Sequence, residues 1–464
     1  MTICFIIIGL LFSVFSTIKN FKFFKISINI ITAPLAVFLI LYLFGIIDND
    51  IIVKSIIGNN LLKPYEIIII FYTVAYVSIS VDLSGVLDFF AFKLIKHANN
   101  NGLYLFCFFY FFSCILTIFT SNDIVILTLT PIVFYLRKYA SINIIPLLFA
   151  EFFGANTTSM LLYIGNPTNI IIANSLNLSF LDYTKIMFMP TVIATCANFI
   201  LLLLVFKKKI TKVFILHDNK KLKLRSISDA IISSSLLILM LLCLLVSERF
   251  SLKIWHVTLF FCLIFIVEDM IISIFYTVKN YKLYITEISK GLKEVYKIYG
   301  FSGERHDLFI IIKRLPWKIL PFLFVMFVLI TSLSEYGFIS VLSSFISNIS
   351  DSIFVNIFVY GITSFLLSNI INNQPMSILF SNIFTDKAHL MSELNLKASS
   401  YAVIIASNLG ANLSLIGALA GVMWEKILRK NNLRVNYFIF LKVGISVTLF
   451  VFVISLLTLY YTLN

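Results

Sequence analysis

The polar stretch Thr120-Ser121-Asn122-Asp123 lies between two apolar segments, residues 103–119 and 124–136. Each segment is shorter than the roughly 20 residues that a membrane-spanning helix needs. Two short apolar arms around a polar tip predict a re-entrant hairpin, which enters the membrane and leaves on the same side. Irregular backbone at that depth is tolerated only where it is buried in protein or lines a cavity. We therefore expect Ser121, Asn122 and Asp123 to line a binding site.

A second interrupted segment lies downstream. The apolar residues 353–367 and 376–384 flank a polar run, SNIINNQP, at 368–375. Interrupted hydrophobic segments in corresponding places of two halves indicate the binding site of a secondary transporter. We therefore expect Asn372 and Asn373 to bind substrate or ion through their side-chain amides.

The composition places the whole chain in a membrane. The 464 residues are 60% hydrophobic and 12% charged, whereas soluble domains are about 25% charged. The net charge of +14 does not indicate nucleic acid, because the lysines fall in loops, where basic residues set membrane orientation. The six cysteines lie in apolar segments without a C-x-x-C pair, so we expect no metal site.

The basic loops predict the topology. The loop 207–226 has a cluster of Lys and Arg with one Asp, so it should be cytoplasmic. It separates two halves of five spans, 1–206 and 227–464, with a cytoplasmic insertion near 271–316. Because each half crosses the membrane five times, an odd number, the second half should be inverted relative to the first. The cytoplasmic loop between the halves then places both termini on the exterior. The predicted spans are 2–18, 26–47, 65–82, 186–206, 227–247, 254–270, 317–334 and 436–462, with interrupted spans at 144–174 and 398–428 and amphipathic stretches at 84–97 and 338–350.

The first interrupted span contains Gly165-Asn166-Pro167-Thr168-Asn169. Proline removes a helix hydrogen bond and Gly165 loosens the backbone before it, so the helix should break here. The half-helix that restarts at Pro167 would point its positive end at the cavity. Asn166, Thr168 and Asn169 are then candidate ligands, and the alternative is a proline kink without a ligand.

The second interrupted span contains two glycines, Gly410 and Gly417, and the polar residues Asn408, Asn412 and Ser414. This composition predicts a second helix break with three further ligands. The alternative is close helix packing through small residues. The predicted fold class is an all-α polytopic membrane protein with two inverted repeats of five transmembrane helices, each with a re-entrant hairpin and an unwound helix.

Two carboxylates are candidates for proton coupling. Asp123 is the sole carboxylate at either hairpin tip, and an ionisable residue inside a membrane protein is functional by default. The alternative for Asp123 is an inert cap on the second arm, since Asp is a good N-cap. Glu151 lies early in its span and is the second candidate.

Taken together, these stretches resemble the ion transporter superfamily with a citrate transporter-like domain, and within it the arsenite/antimonite efflux permeases. The resemblance implies an elevator-type carrier, often dimeric, with two hairpins and two unwound helices around one site; the permeases can associate with a separate ATPase. The matching motifs are Ser121-Asn122-Asp123 with 127–133, Thr157-Thr158, Asn169-Ile170-Ile171, Asn372-Asn373 with Pro375, 407–410, Ile416-Gly417, Trp317 and Trp424.

The predicted function is secondary active transport in a prokaryotic cytoplasmic membrane. The favoured reaction is proton-coupled efflux of a small neutral metalloid oxyacid such as arsenite. The alternatives are a sodium/proton antiporter and a citrate or dicarboxylate carrier. The sequence has no Walker motif and no nucleophile–base pair, so we expect neither an enzyme nor a cofactor. The expected partners are a small solute, a coupling ion (H⁺ or Na⁺), the bilayer, a second copy of the chain and a separate ATPase subunit.

Overall fold

The structure is a computed structural model that describes residues 2–18, 21–23, 26–58, 63–86, 101–139, 142–212, 227–288, 308–347, 352–387 and 391–464. In this described part the chain forms 19 α-helices and one two-stranded antiparallel hairpin of β1 (Phe21–Phe23) and β2 (Ile26–Ile28). The predicted all-α polytopic class is confirmed.

Nine of the described helices lie in the first half. They are α1 (Thr2–Ile18), α2 (Thr32–Leu43), α3 (Asn49–Ile57), α4 (Pro64–Leu83), α5 (Gly102–Phe119), α6 (Asn122–Tyr139), α7 (Ile145–Thr158), α8 (Pro167–Ser175) and α9 (Phe180–Phe206). The predicted hairpin corresponds to α5 and α6, which are separated by Thr120 and Ser121. Because α5 is itself long and apolar enough to cross a membrane, the re-entrant path stays a prediction. The predicted interrupted span corresponds to α7 and α8.

The other ten described helices lie in the second half. They are α10 (Ile227–Val246), α11 (Ile254–Ile288), α12 (Leu308–Arg314), α13 (Ile319–Glu335), α14 (Phe338–Ser347), α15 (Ile353–Ile371), α16 (Asn373–Lys387), α17 (Glu393–Leu413), α18 (Leu419–Lys430) and α19 (Tyr437–Leu463). From α4 and from α13 onwards, both halves contain the same series: a long helix, a helix pair, a broken helix and a long final helix. The inverted relation of the halves stays a prediction.

Seven described helices are long and apolar enough to cross a membrane, and an eighth span results if α12 and α13, bent by 42°, are counted together. The last helix, α19, has 27 residues and is about 40 Å long at 1.5 Å per residue, which exceeds a hydrocarbon core of about 30 Å. The chain is therefore a multi-pass membrane protein.

The predicted span 26–47 is wrong. Residues 26–28 form β2, and the helix that follows, α2, has 12 residues. The Asn29 side chain accepts hydrogen bonds from the backbone N–H groups of Ile31 at 2.9 Å and Thr32 at 3.3 Å. These bonds form an Asx turn, so α2 begins after the turn and not at the predicted residue 26. The helix ends before Gly45, whose φ of 67° is left-handed. Hydrophobicity alone did not reveal either boundary.

Other predicted boundaries also shift. The predicted span 254–270 continues as α11 to Ile288, so part of the predicted insertion belongs to this helix. The predicted amphipathic stretch 338–350 contains α14, which ends at Ser347. Residues 87–97 of the other amphipathic stretch, 213–226 of the linker and 289–307 of the insertion lie outside the described residues.

The predicted topology can be tested by cysteine labelling. In a background without native cysteines, we expect an impermeant thiol reagent to label a cysteine at position 48 in intact cells. A cysteine at position 335 should also react, because Glu335 forms an exposed ion pair with Lys54 at 2.9 Å, and such pairs contribute little stability. A cysteine at position 220 should react only after permeabilisation. Labelling at position 220 in intact cells would contradict the inverted topology.

The two helices that precede the breaks are the most buried elements. Every residue of α7 from Pro146 to Thr158 is buried, and α17 is buried without interruption from Ala398 to Asn412. A helix buried on all sides belongs to the centre of a protein. α17 packs against α15, α19 and α7, and α7 packs against α5, α6 and α9. The polar residues that both helices carry therefore lie in the middle of the molecule.

Candidate functional site

The first break is built by local sequence. α7 ends at Thr158, residues 163–165 form a short 3₁₀ turn, and Asn166 is extended with φ −148°. Pro167 is the first residue of α8, where a missing N–H costs nothing. The Asn166 side chain accepts the N–H of Thr168 at 3.2 Å, which is an N-cap. The half-helix thus begins inside the protein with its N-terminus capped by a polar side chain.

The second break lies later than the sequence indicated. α17 continues to Leu413, so the expectation that Gly410 breaks the helix is wrong; the break covers residues 414–418. A Cβ at Gly410 would overlap Ser368 Oγ of α15, so this glycine allows close packing of two helices. A Cβ at Gly417 would overlap the carbonyl oxygen of Gly410, so Gly417 allows the chain to fold back on α17.

Asn408 joins α17 to the first break. Its Oδ1 accepts hydrogen bonds from Ser159 Oγ at 2.7 Å and Asn166 Nδ2 at 2.9 Å. Its Nδ2 donates to Asn169 Oδ1 at 2.7 Å. All four side chains are buried. A single amide on α17 therefore pairs with three positions around the first break.

The neighbouring hydroxyl extends this contact. Ser407 Oγ donates to Thr168 Oγ1 at 3.0 Å, and the backbone carbonyl of Ser407 accepts Asn373 Nδ2 of the second hairpin tip at 3.2 Å. Two of the predicted ligands, Thr168 and Asn373, thus meet at one residue of α17.

A second set of amides connects the first hairpin tip to α17. Asn122 Nδ2 donates to Asn156 Oδ1 at 2.9 Å, and Asn156 Nδ2 donates to Asn412 Oδ1 at 3.1 Å. Asn412 Nδ2 reaches Thr157 Oγ1 at 3.1 Å, and Asn198 Nδ2 of α9 reaches the same atom at 2.8 Å. The predicted ligands Asn122 and Asn412 are therefore linked through Asn156, which the sequence interpretation did not select.

The second hairpin tip packs on the second break. Asn372 Nδ2 donates to the carbonyl of Ile416 at 3.0 Å, and Asn373 N donates to that of Gly417 at 3.0 Å. Ser414 Oγ donates to Asn369 Oδ1 at 2.6 Å. Asn372 itself has φ 72° and ψ 153°, a backbone conformation that residues other than glycine rarely adopt.

We call the side chains around these contacts the amide network. It joins both tips and both breaks through neutral hydrogen bonds, and it includes all the predicted neutral ligands except Ser121. Its members are Asn122, Asn156, Thr157, Ser159, Asn166, Thr168, Asn169, Asn198, Asn369, Asn372, Asn373, Ser407, Asn408, Asn412 and Ser414.

Some buried polar atoms at the two tips lack hydrogen-bond partners among the described residues: Asn122 Oδ1, Gln374 Oε1 and Ser377 Oγ. Most buried polar atoms in native proteins are paired, and an atom without a protein partner is commonly satisfied by a water or a ligand. Two of these atoms are acceptors, and the hydroxyl can donate or accept. A solute with O–H groups could donate a hydrogen bond to either acceptor.

Asp123 and Ser121 lie outside the amide network. Both are half-buried and line a cavity of about 60 Å³ between α4, α6 and the bend that precedes α13. Among the described residues, Asp123 forms no side-chain hydrogen bond to the first turn of α6, so the structure gives no support to an inert cap. The full lining is Phe71, Ala75, Ile79, Ser121, Asp123, Ile124, Leu127, Thr128, Arg314, Pro316, Ile319 and Met423.

Glu151 lies outside both the amide network and the cavity beside Asp123. It is fully buried on α7, and its Oε1 accepts the hydroxyl of Thr130 on α6 at 2.7 Å. Its Oε2 has no hydrogen-bond partner among the described residues, and neither has Trp424 Nε1 of α18. The Trp424 ring packs against the ring of Phe152, which follows Glu151 on α7, with centroids 5.1 Å apart.

The sequence does not single out Asp82 or Arg314 beside Asp123, and it contains Thr128 only within the matching motif 127–133. Arg314 Nη2 pairs with Asp82 Oδ2 at 2.7 Å, and Thr128 Oγ1 donates to Asp82 Oδ1 at 3.0 Å. In the sequence, Arg314 belongs to the basic segment that sets the topology, and nothing there distinguishes it from the other basic residues.

Comparisons with known proteins agree with this architecture. A family model described as "Citrate transporter" matches residues 10–400. The chain is 25% identical over 394 residues to the arsenical pump membrane protein of Escherichia coli, covering 84% of each chain. It is 26% identical over 393 residues to a putative arsenical pump membrane protein of Bacillus subtilis (strain 168), covering 83% of this chain and 85% of that one.

A shorter match has a higher sequence identity. The chain is 41% identical over 96 residues to a putative transporter arsB of Dictyostelium discoideum, which covers 21% of this chain and 17% of that protein. The family match covers most of the chain, and the described helices cross a membrane several times. These findings identify a membrane transporter of small solutes, not an enzyme. They confirm the resemblance found in the sequence, and the chain belongs to the citrate transporter family.

Proposed function

We propose that this chain is a secondary transporter that expels a small neutral metalloid hydroxide, such as arsenite or antimonite, in exchange for protons. The observation that carries the proposal is the amide network, where Asn408 of α17 and its partners around the first break form hydrogen bonds without a formal charge. Amides and hydroxyls both donate and accept, as do the hydroxyls of such a solute. The relatives that are named arsenical pump membrane proteins favour the same solute.

The charges near the site argue against a dianion. Neither tip nor break contains Arg or Lys, and Asp123 lines the adjoining cavity. Like charges about 4–6 Å apart repel by a few kcal/mol at an effective dielectric near 20. Arg314 lines the same cavity, but Asp82 already neutralises it. The three charged groups sum to −1, which disfavours citrate and succinate.

The cavity size favours a small solute. The space beside Asp123 is about 60 Å³, whereas drug-sized ligands occupy pockets of roughly 300–1,000 Å³. A solute of a few heavy atoms fits such a space without rearrangement. A tricarboxylate would require the cavity to widen considerably.

Two alternatives have specific support. The description of the matching family names citrate, which favours a carboxylate carrier. Asp123 together with amide oxygens could also hold a sodium ion, because hard cations prefer oxygen ligands. Both alternatives use the same residues, so transport measurements must separate them.

The proposal predicts the transport behaviour of everted membrane vesicles. We expect respiring vesicles that contain the protein to accumulate arsenite or antimonite, and a protonophore to abolish the accumulation. Uptake of citrate and succinate should not exceed that of vesicles without the protein, because Asp123 repels a dianion. Sodium should leave arsenite uptake unchanged. Saturable, sodium-dependent succinate uptake in proteoliposomes would contradict the proposal and assign the chain to the carboxylate alternative.

A further inference from the structure

Arg314 lines the cavity beside Asp123, and one terminal nitrogen of its guanidinium is bound by a carboxylate. Arg314 ends α12, and its Nη2 donates to Asp82 Oδ2 at 2.7 Å. The other oxygen of Asp82 accepts the hydroxyl of Thr128 at 3.0 Å. The Asp82 side chain is 5% exposed, so both of its oxygens are used within the protein. The guanidinium is therefore oriented by a buried carboxylate.

The remaining terminal nitrogen of Arg314 is unused. Arg314 Nη1 is buried and has no hydrogen-bond partner among the described residues. A buried N–H on a charged group is costly to leave unpaired, and a bound water or ligand commonly supplies the acceptor that the protein lacks. Arg314 lines the same cavity as Ser121 and Asp123. The unused donor therefore belongs to a side chain that shares a small space with a carboxylate and a hydroxyl.

Contacts outside the cavity fix the backbone that carries Arg314. The Tyr72 hydroxyl of α4 donates to the carbonyl of Pro316 at 3.2 Å. The Tyr72 ring also stacks on Trp317, with centroids 5.5 Å apart. Because α4 carries Asp82 as well, the Arg314–Asp82 pair is preorganised on one wall. The opposite wall is the start of α6, which carries Asp123.

The cavity adjoins the amide network. Ser121 and Asp123 line the cavity, whereas Asn122 between them is buried and bonds to Asn156 of the network. Asn122 also carries the unpaired acceptor Oδ1, so the cavity and the amide network meet at the first hairpin tip.

We propose that Arg314 and Asp123 form a separate binding site for an uncharged, hydroxyl-bearing solute. The Arg314 Nη1 N–H donates to an oxygen of the solute, and the Asp123 carboxylate accepts an O–H from the same solute. Asp82 cancels the charge of Arg314, so the site selects by hydrogen bonding and not by net charge. This inference rests on the proposed function and specifies how that solute is first bound.

The test uses arsenite uptake by everted vesicles that contain the full chain. Arg314→Lys keeps a cation beside Asp82 but removes the second arm of the planar fork. We expect its KM for arsenite to rise about tenfold or more, the loss typical of a hydrogen bond to a charged group, with Vmax little changed. The matched control is Lys313→Gln, at the exposed neighbouring position, whose KM should equal that of the wild type.

A second variant tests the role of Asp82. Asp82→Asn keeps the guanidinium but removes the carboxylate that orients it, so its KM for arsenite should also rise. The uncompensated cation should make succinate a better competitor. An unchanged KM in Arg314→Lys, or succinate competition in Asp82→Asn no stronger than in the wild type, would overturn this inference and leave the proposed function intact. Absence of arsenite uptake by the wild type would overturn both.

Discussion

The Asn408→Ala variant is expected to lose roughly 99% or more of arsenite transport, because each buried partner left unpaired costs about 1–3 kcal/mol and three are affected. Asn408 accepts from Ser159 and Asn166 and donates to Asn169. Alanine makes none of these hydrogen bonds. It also removes three of the side-chain hydrogen bonds between α17 and the first break, so both binding and the geometry of the site should suffer.

Initial rates of arsenite uptake at saturating substrate measure this effect. The matched control is Asn382→Ala on α16, where the amide makes a local hydrogen bond to the carbonyl of Ile378 at 2.9 Å. We expect this control to transport at close to the wild-type rate. Amounts of inserted protein and gel-filtration profiles show whether Asn408→Ala is folded. Folded Asn408→Ala protein with near-normal uptake would place the solute site elsewhere.

Local signals made the first break predictable. Pro167 and Asn166 act within one turn of chain, as the first residue and the cap of α8, so their effect can be inferred from the sequence. The second break lacks a proline, and its glycines act through distant contacts. Gly410 meets Ser368 across two helices, so the sequence showed a small residue there but not which function it has.

The pairing of polar residues was not predictable. Asp82 and Arg314 are 232 positions apart, and Arg314 looks like any other residue of a basic loop. Asn156 lies on the same helix as the coupling candidate Glu151. Its hydrogen bonds to Asn122 and Asn412 depend on how the two halves pack, so the sequence alone does not identify it. Composition therefore revealed which residue types surround the site, whereas tertiary packing decides which of them meet.

Proton coupling is the second effect that we expect to be large. Asp123 follows the first residue of α6, and Thr130, which donates to Glu151, lies two turns further along the same helix. Helix α6 thus carries Asp123 and contacts Glu151. Asp123 lines a cavity, whereas Glu151 is fully buried. Protons in water can reach Asp123 more directly, so we propose it as the primary coupling residue.

We expect Asp123→Asn to transport arsenite without responding to a pH gradient. Asn is nearly isosteric with Asp but cannot carry a titrating proton. In wild-type vesicles with an acidic interior, outward movement of protons should drive arsenite inward, and nigericin should remove this stimulation. Uptake by Asp123→Asn should equal the nigericin-treated wild-type rate with or without the gradient. Arsenite counterflow, which needs no net proton movement, should persist in this variant.

Glu151→Gln provides the comparison that decides between the two carboxylates. The glutamine oxygen can still accept the Thr130 hydroxyl, so the helix contact is kept while the titrating proton is lost. If Asp123 alone carries the proton, Glu151→Gln should retain stimulation by the gradient. Stimulation that persists in Asp123→Asn but disappears in Glu151→Gln would assign coupling to Glu151. In that case the proton would bind inside the helix core, and α6 would transmit its effect to the hairpin tip through Thr130.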